Sequence, residues 1–259
     1  MIAEAEAEVA QAARISSSRQ IRFEDYGATW IKQIAAVSPD AFAQFALQLT
    51  YYRLHGDFAP VYETASTRQF LHGRTENARP LTPEAAAFIR AMCDPAANTS
   101  DRHKALVGAA KKHQAMLRNA SAGGGIDRHI LGLRMAYRRL PPLLGESPMS
   151  EHERRAIEEF FDDPLLARSN SFQLSTSGLF PSYFLVHTGF GCVAPERAYG
   201  INYIIEGRRI KFGIEGKTTA AGKGTDVGLF DATLRQTLLE LKSLCEQASS
   251  NSTSRQSRL

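Results

Sequence analysis

The sequence predicts an α/β fold, a mixed β-sheet flanked by many α-helices. Its first two-thirds hold helical segments with recognisable start and stop signals. From about residue 171 short β-branched and aromatic runs take over. Helices outnumber strands, and a sheet covered by helices is the arrangement that buries one face of each. At 259 residues the chain can hold one large domain or two small ones. Residues 1–248 read as a single unit, followed by a polar, disordered tail, residues 249–259.

The N-terminal residues MIAEAEAEVAQAAR read as an alanine-rich helix. Ser38-Pro39-Asp40 opens the next: a cap residue, a proline at the first helical position and an acid at the positive end of the dipole. Phe42, Phe45, Ala46, Leu49 and Tyr52 then recur at helical spacing until Gly56. Thr82-Pro83-Glu84 repeats the device for a helix to about Met92. Further helices are expected over Asp101–Asn119, over Asp127–Leu140 with Pro141-Pro142 as its stop, and over Ser150–Phe161. Phe172–Thr176, Tyr183–Thr188, Ile201–Ile205 and Arg209–Ile214 read as strands, the last two as an antiparallel hairpin turning at Gly207. A last helix, Asp226–Gln247, carries Leu229, Thr233, Leu238, Leu241 and Cys245 along one side.

Composition narrows the function classes. Apolar residues make up 43% and charged residues 22%, ordinary for a globular domain. The net charge of +4 is dispersed. That does not call for nucleic acid, whose binders gather their basic residues into a stripe, and it suits an anionic small molecule. Cys93, Cys192 and Cys245 are too scattered for a metal set or a disulfide framework. No apolar run approaches the ~18 residues of a membrane span.

The densest chemistry lies in Tyr62-Glu63-Thr64-Ala65-Ser66-Thr67-Arg68-Gln69-Phe70 and the following His72-Gly73-Arg74-Thr75-Glu76-Asn77. Hydroxyls, carboxylates and arginines crowd together with no amphipathic period. As a pattern this fits a solvated polar loop equally well. As a motif it resembles a signature of the carnitine/choline acyltransferase family, Y-E-[ST]-A-S-x-R-x-F followed by G-R-T. Further matches follow in the family's order. They are Ser38–Phe42 with Gln48–Arg53, Asp127–Leu133, the Ser175-Thr176-Ser177 triplet, Gly189–Gly191 and Tyr199–Tyr203.

The resemblance implies a chloramphenicol-acetyltransferase-like fold of two related halves, of which this chain resembles the C-terminal one. It also implies acyl transfer between the coenzyme A thiol and carnitine, with coenzyme A or acetyl-CoA as substrate and no bound cofactor or metal. Arg128 matches the residue that meets the carnitine carboxylate, and a guanidinium can donate two parallel hydrogen bonds to it. Tyr62, Thr64 and Thr75 match hydroxyl donors to the same group. Asn77 leans toward the choline-type pattern. Ser177 matches the oxyanion donor, with Ser175 beside it on the same side of an extended strand. Phe190 matches an aromatic near the trimethylammonium. Lys32 and Asp40 match coenzyme A contacts, while Ala28 and Gln114 stand where relatives carry basic residues, unless Lys111 or Lys112 compensates. Thr188-Gly189 suggests short to medium acyl groups.

The family's catalytic base is a histidine with an acid four residues on. Of the seven histidines only His72 has one, at Glu76, where the family does not place its base. The isolated chain is therefore expected to be inactive or nearly so, since losing a general base costs ~10²–10⁴ in rate. The alternatives are a truncated form of an active enzyme, or a non-catalytic module that binds coenzyme A or acyl-carnitine or complements a separate N-terminal half. The ending Ser257-Arg258-Leu259 is a variant of the Ser-Lys-Leu peroxisomal address, and a mitochondrial form of the full gene product fits the same family.

Overall fold

The computed structural model describes residues 2–144, 149–181, 197–217 and 225–256. Helix α1 (Ile2–Ile15) has no buried residue and runs directly into strand β1 (Ser16–Phe23). The short α2 (Ala28–Trp30) continues as a π-helical turn, Ile31–Ala35, which ends at Ala36 in the left-handed conformation. Helix α3 (Pro39–His55) starts at Ser38 and stops at Gly56, as the sequence signals. Every residue from Ala41 to Tyr51 in it is buried, so it is the central helix of the core rather than an amphipathic one.

Strands β2 (Val61–Ser66) and β3 (Thr75–Ala78) form an antiparallel hairpin. Helix α4 (Pro83–Cys93) is capped by the Thr82 side chain. Asn98 caps α5 (Thr99–Asn119) by accepting from the Asp101 amide, which starts this helix before Asp101. A π-helical turn, Ala120–Gly124, leads to α6 (Asp127–Leu144). Ser150 and Glu153 form a capping box for α7 (Glu151–Phe161). Asp163 caps the unforeseen α8 (Pro164–Ser169). Then come β4 (Leu174–Leu179), β5 (Tyr199–Ile205), β6 (Ile210–Lys217) and α9 (Val227–Gln256).

The six strands among the described residues form one mixed sheet in the order β1-β6-β5-β4-β2-β3. The inner trio is parallel, β2 beside β4 and β4 beside β5. The remaining pairs are antiparallel, including the expected β5–β6 hairpin. The main core joins Phe42, Phe45 and Leu49 of α3 to Phe88 of α4, Leu106 of α5 and Phe230, Leu234 and Leu238 of α9. Ile201, Tyr203, Phe212 and Ile214 of the sheet complete it. The α/β architecture expected from the sequence is present.

Several boundaries differ from expectation. Helix α6 passes through Pro141-Pro142 to Leu144. Proline's fixed φ is helical, so two prolines near the end forfeit amide bonds without forcing the backbone out. On α9 the core-facing line is Phe230, Leu234, Leu238, Leu241 and Cys245, while Leu229 is exposed. Leu238, Leu241 and Cys245 are the residues read from the sequence; in the first two turns the buried positions are Phe230 and Leu234, one residue after Leu229 and Thr233. Instead of a disordered stretch from Ser249, α9 continues to Gln256. The Ser249 hydroxyl donates to the Ile34 carbonyl and Ser250 to the Glu246 carbonyl, which ties the polar start of this stretch down. The predicted strand Tyr183–Thr188 and the terminal Ser257-Arg258-Leu259 lie outside the described residues.

Candidate active site

The Tyr62–Asn77 block is the β2–β3 hairpin, not a loop. Its hidden period is two: Val61, Glu63 and Ala65 are buried, while Tyr62, Thr64 and Ser66 alternate to the opposite face. Register then sets the site. Tyr62 stands opposite Ser175 across the parallel β2–β4 pair, Ser66 opposite Thr75, and Ser177 opposite Asn202. Directly paired residues share a face, so Tyr62, Thr64, Thr75, Ser175 and Ser177 line one side of the sheet.

Arg128 reaches this face from the start of α6. Its guanidinium donates to the Tyr62 hydroxyl at 3.1 Å, to Thr75 Oγ1 at 3.2 Å and to the Thr75 carbonyl at 3.2 Å. Three residues from separate parts of the sequence thus meet around one exposed guanidinium. Glu76 holds the helix that carries it: this buried carboxylate accepts from the Asn77 amide at 2.7 Å and from the Arg128 amide at 3.3 Å. A carboxylate there also complements the positive end of α6. Gly125 leaves the room, because a Cβ would lie 2.1 Å from Glu76 Cγ. Arg79 locks the same corner with a bidentate pair to Asp127 (2.6 and 2.9 Å) and bonds to the Ser169 carbonyl and Asn170. Since Glu76 is engaged with the Asn77 and Arg128 amides and His72 is exposed in the hairpin turn, the His72–Glu76 spacing makes no catalytic pair.

A cavity of about 380 Å³ lies toward the carboxyl ends of the parallel strands, where open α/β sheets place ligands. Lys32, Asp40, Thr64 and Gly178 line it, bringing both predicted coenzyme A contacts to within one strand step of the hydroxyl face. Thr64 and Tyr62 are two residues apart on β2, about 7 Å along a strand, so this cavity and the Arg128 corner adjoin. Phe190 and Thr188-Gly189 lie outside the described residues.

Beneath the cavity is a network that sequence reasoning did not find. Glu63 turns away from the hydroxyl face and meets His113 of α5, Oε2 to Nε2 at 2.7 Å, both fully buried. The Tyr203 hydroxyl donates to Asp40 Oδ1 at 2.5 Å, and the Gln44 amide donates to Tyr203 and to Thr176. Burial pushes the Glu63 carboxyl from 4.5 up to about 7, the His113 bond and charge opposing it. Burial works against a charge on His113, but the Glu63 bond and charge and the Asp40 charge outweigh it and raise its pKa. Donor atoms of Asp40, Glu63 and His113 lie within 4.8 Å of one another. The Glu63–His113 contact itself is a hydrogen bond, closer than the ~3.3 Å between two ligands of a tetrahedral ion with ~2.0 Å bonds. Gly178 admits Asp40 and Tyr203 against β4: a Cβ there would meet them at 3.0 and 3.1 Å. In the sequence, Glu63 looked like one more polar residue of the block; a carboxylate at a core-facing strand position was the available signal.

Fold and site together define an α/β protein in which an exposed arginine and hydroxyl cluster adjoins a cavity lined by Lys32 and Asp40. Residues 1–236 match the family described as Choline/Carnitine o-acyltransferase. Choline O-acetyltransferase of Sus scrofa is 36% identical over 231 residues, covering 88% of this chain and 33% of that protein. Peroxisomal carnitine O-octanoyltransferase of Rattus norvegicus is 39% identical over 196 residues, 70% of this chain and 29% of that protein. Carnitine O-palmitoyltransferase 1, liver isoform, of Homo sapiens is 36% identical over 213 residues, 80% and 26% respectively. The chain belongs to the choline/carnitine O-acyltransferase family. It spans about a third or less of the length of these relatives. Among solved structures, a chloramphenicol acetyltransferase aligns with a TM-score of 0.42 at 12% identity, over 88% of this chain and 92% of that one.

Proposed function

We propose that this chain supplies the carnitine carboxylate site and the coenzyme A cavity of a carnitine O-acyltransferase. The observation that carries this is the Arg128–Tyr62–Thr75 cluster, whose outward N–H and O–H groups suit a carboxylate and have no counterpart to meet in choline. Coenzyme A enters through the cavity of Lys32, Asp40 and Thr64, which brings its thiol toward the Ser175–Ser177 strand. Ser177 donates to the tetrahedral oxyanion, and removing such a donor costs ~10²–10³ in rate. Phe190 contributes an aromatic face for the trimethylammonium, and short to medium acyl groups are the substrates.

The general base comes from outside these 259 residues. Among the described residues the one buried histidine–carboxylate pair is Glu63–His113: His113 comes from α5, and Glu63 alternates with Tyr62 and Thr64 to the buried side of β2 while also touching the Lys32–Asp40 cavity. This favours, as a second reading, a chain that binds carnitine and coenzyme A and complements a separate N-terminal half.

Calorimetric titration of the chain with L-carnitine and with choline tests the proposal. Carnitine should bind more tightly than choline, and Arg128→Leu should weaken carnitine by ~10–100-fold, the worth of hydrogen bonds to a charged group, without weakening choline. Equal affinity for the two ligands, or carnitine binding that survives the substitution, would refute it.

A further inference from the structure

Glu63 stands between two partners. On one side its Oε2 meets His113 Nε2 of α5 at 2.7 Å. On the other it hydrogen-bonds to Asp40 of α3, and one donor atom from each of the three residues lies within 4.8 Å of the others. Two carboxyls in contact away from water share one proton, because a second charge on the pair is repelled by the first. The surroundings decide which of them carries it. Asp40 lies in the first turn of the 17-residue helix α3 and accepts the Tyr203 hydroxyl proton, and both contacts favour its charged form. Burial, then the Asp40 and Glu63 charges, push the Tyr203 phenol well above its usual pKa, so it stays a donor to Asp40. Its oxygen accepts in turn from the Gln44 amide at 3.0 Å. Glu63, 2% exposed, is left holding the proton.

His113 completes the arrangement. Its ring packs edge-on against Phe45, and its Nδ1 has no hydrogen-bond partner among the described residues. Glu63 Oε2 is therefore what orients the imidazole, and the imidazole fixes which oxygen of Glu63 is left to face Asp40. The other polar neighbours of Glu63 are neutral or turned elsewhere. Thr176 of β4 bonds to Gln44 and to the Tyr62 carbonyl, Asn77 of β3 accepts from the Glu63 amide, and Glu76 is engaged with the Arg128 amide. Among the described residues Lys32 is the remaining charge on the wall of the cavity that Asp40, Glu63 and Tyr203 share.

We propose that Glu63 and His113 are positioning residues for the Lys32–Asp40 cavity: His113 aims Glu63, and the proton that Glu63 directs at Asp40 holds Asp40 on the cavity wall as a charged acceptor, so that acyl-CoA binds there with uptake of a proton. When Glu63 loses that proton, two carboxylates face each other and Asp40 is pushed out of place. A ligand that covers the cavity keeps water from both carboxyls and draws the proton back. The inference rests on the acyl-CoA reading above and adds two residues that act on the ligand through Asp40.

The test is calorimetric titration of the full chain with coenzyme A from pH 6 to pH 8, for wild type, Glu63→Gln and His113→Gln, with circular dichroism at each pH to show that each is folded. Glutamine at 63 mimics the protonated carboxyl, an N–H toward Asp40 and an oxygen toward His113. With Glu63 titrating at about 7, wild-type affinity should fall ~10-fold more than that of Glu63→Gln over this range. The ligand's own ionisation is common to both proteins and cancels. His113→Gln removes the bond and charge that oppose burial, so its fall should move to higher pH, a shift that loss of packing alone does not produce. At pH 7 wild type should take up about half a proton more per coenzyme A than Glu63→Gln, read from binding enthalpies in phosphate and Tris buffers. Equal pH dependence in wild type and Glu63→Gln overturns the inference and leaves the acyl-CoA reading standing. Absence of coenzyme A binding in all three folded proteins at every pH overturns both.

Discussion

Replacing Glu63 by glutamine should flatten the pH dependence of this protein's stability. The carboxyl is 2% exposed and bonded to a histidine that is 1% exposed. The folded protein holds its proton up to about pH 7, against 4.5 for the free group. At ~1.4 kcal/mol per pH unit this is about 3 kcal/mol of stabilisation. It is fully present below pH 4.5 and is lost as pH rises through about 7. The raised His113 acts in the same sense, stabilising at low pH and fading as pH climbs. Glutamine keeps the shape and a hydrogen-bonding group facing His113 but carries no titrating carboxyl. Thermal unfolding followed by circular dichroism at pH 5 and pH 8 measures the difference. For a chain of this size 1 kcal/mol moves Tm by ~2–4 °C, so the fall in Tm between these pH values should be smaller in Glu63→Gln by roughly 6–12 °C. Equal falls in the two proteins would show that Glu63 does not hold its proton in the folded state, and the buried-network account would be wrong.

Three further outcomes follow from the same geometry. His113→Leu removes one partner of a buried pair and should cost ~3–5 kcal/mol at neutral pH, read by urea denaturation, with Glu63→Gln in the same background recovering part of it. Gly125→Ala drives a methyl into Glu76; it should cost ~1–3 kcal/mol by overpacking and weaken carnitine binding through displacement of the α6 start. In an assembly with the complementary half, Ser177→Ala should lower kcat ~10²–10³-fold with a small change in KM, and an equal loss in Ser175→Ala would reassign the oxyanion donor.

The parts of the fold that local signals encode were legible: the Ser38 and Thr82 starts, the helix from Ser150 and the β5–β6 hairpin all lie where their residues put them. The strands that escaped notice are those whose buried positions are not apolar runs. β1 buries only Ile21 and Phe23, and β2 buries a glutamate and an alanine between polar neighbours. The Arg128, Tyr62 and Thr75 cluster was legible only because each residue matches a position in the motifs of the family the sequence resembles. The Glu63–His113 bond joins residues fifty positions apart on different elements, and no local pattern carries that information. Lys111 and Lys112 are equivalent in the sequence; only the direction each takes from α5 separates them, Lys111 lining a cavity with Lys32 and Lys112 lying near Glu84.

The sheet order has a consequence for how the chain reaches its structure. Among the described residues strand β1, residues 16–23, pairs only with β6, residues 210–217. As the polypeptide leaves the ribosome β1 therefore waits, at ~5–20 residues per second, for tens of seconds at the slow end of that range before its partner exists. Closure of so long a loop puts this domain among the slow folders of high contact order. Exposed α1 and polar, serine- and arginine-rich β1 suit that wait: neither offers an apolar edge to another nascent chain.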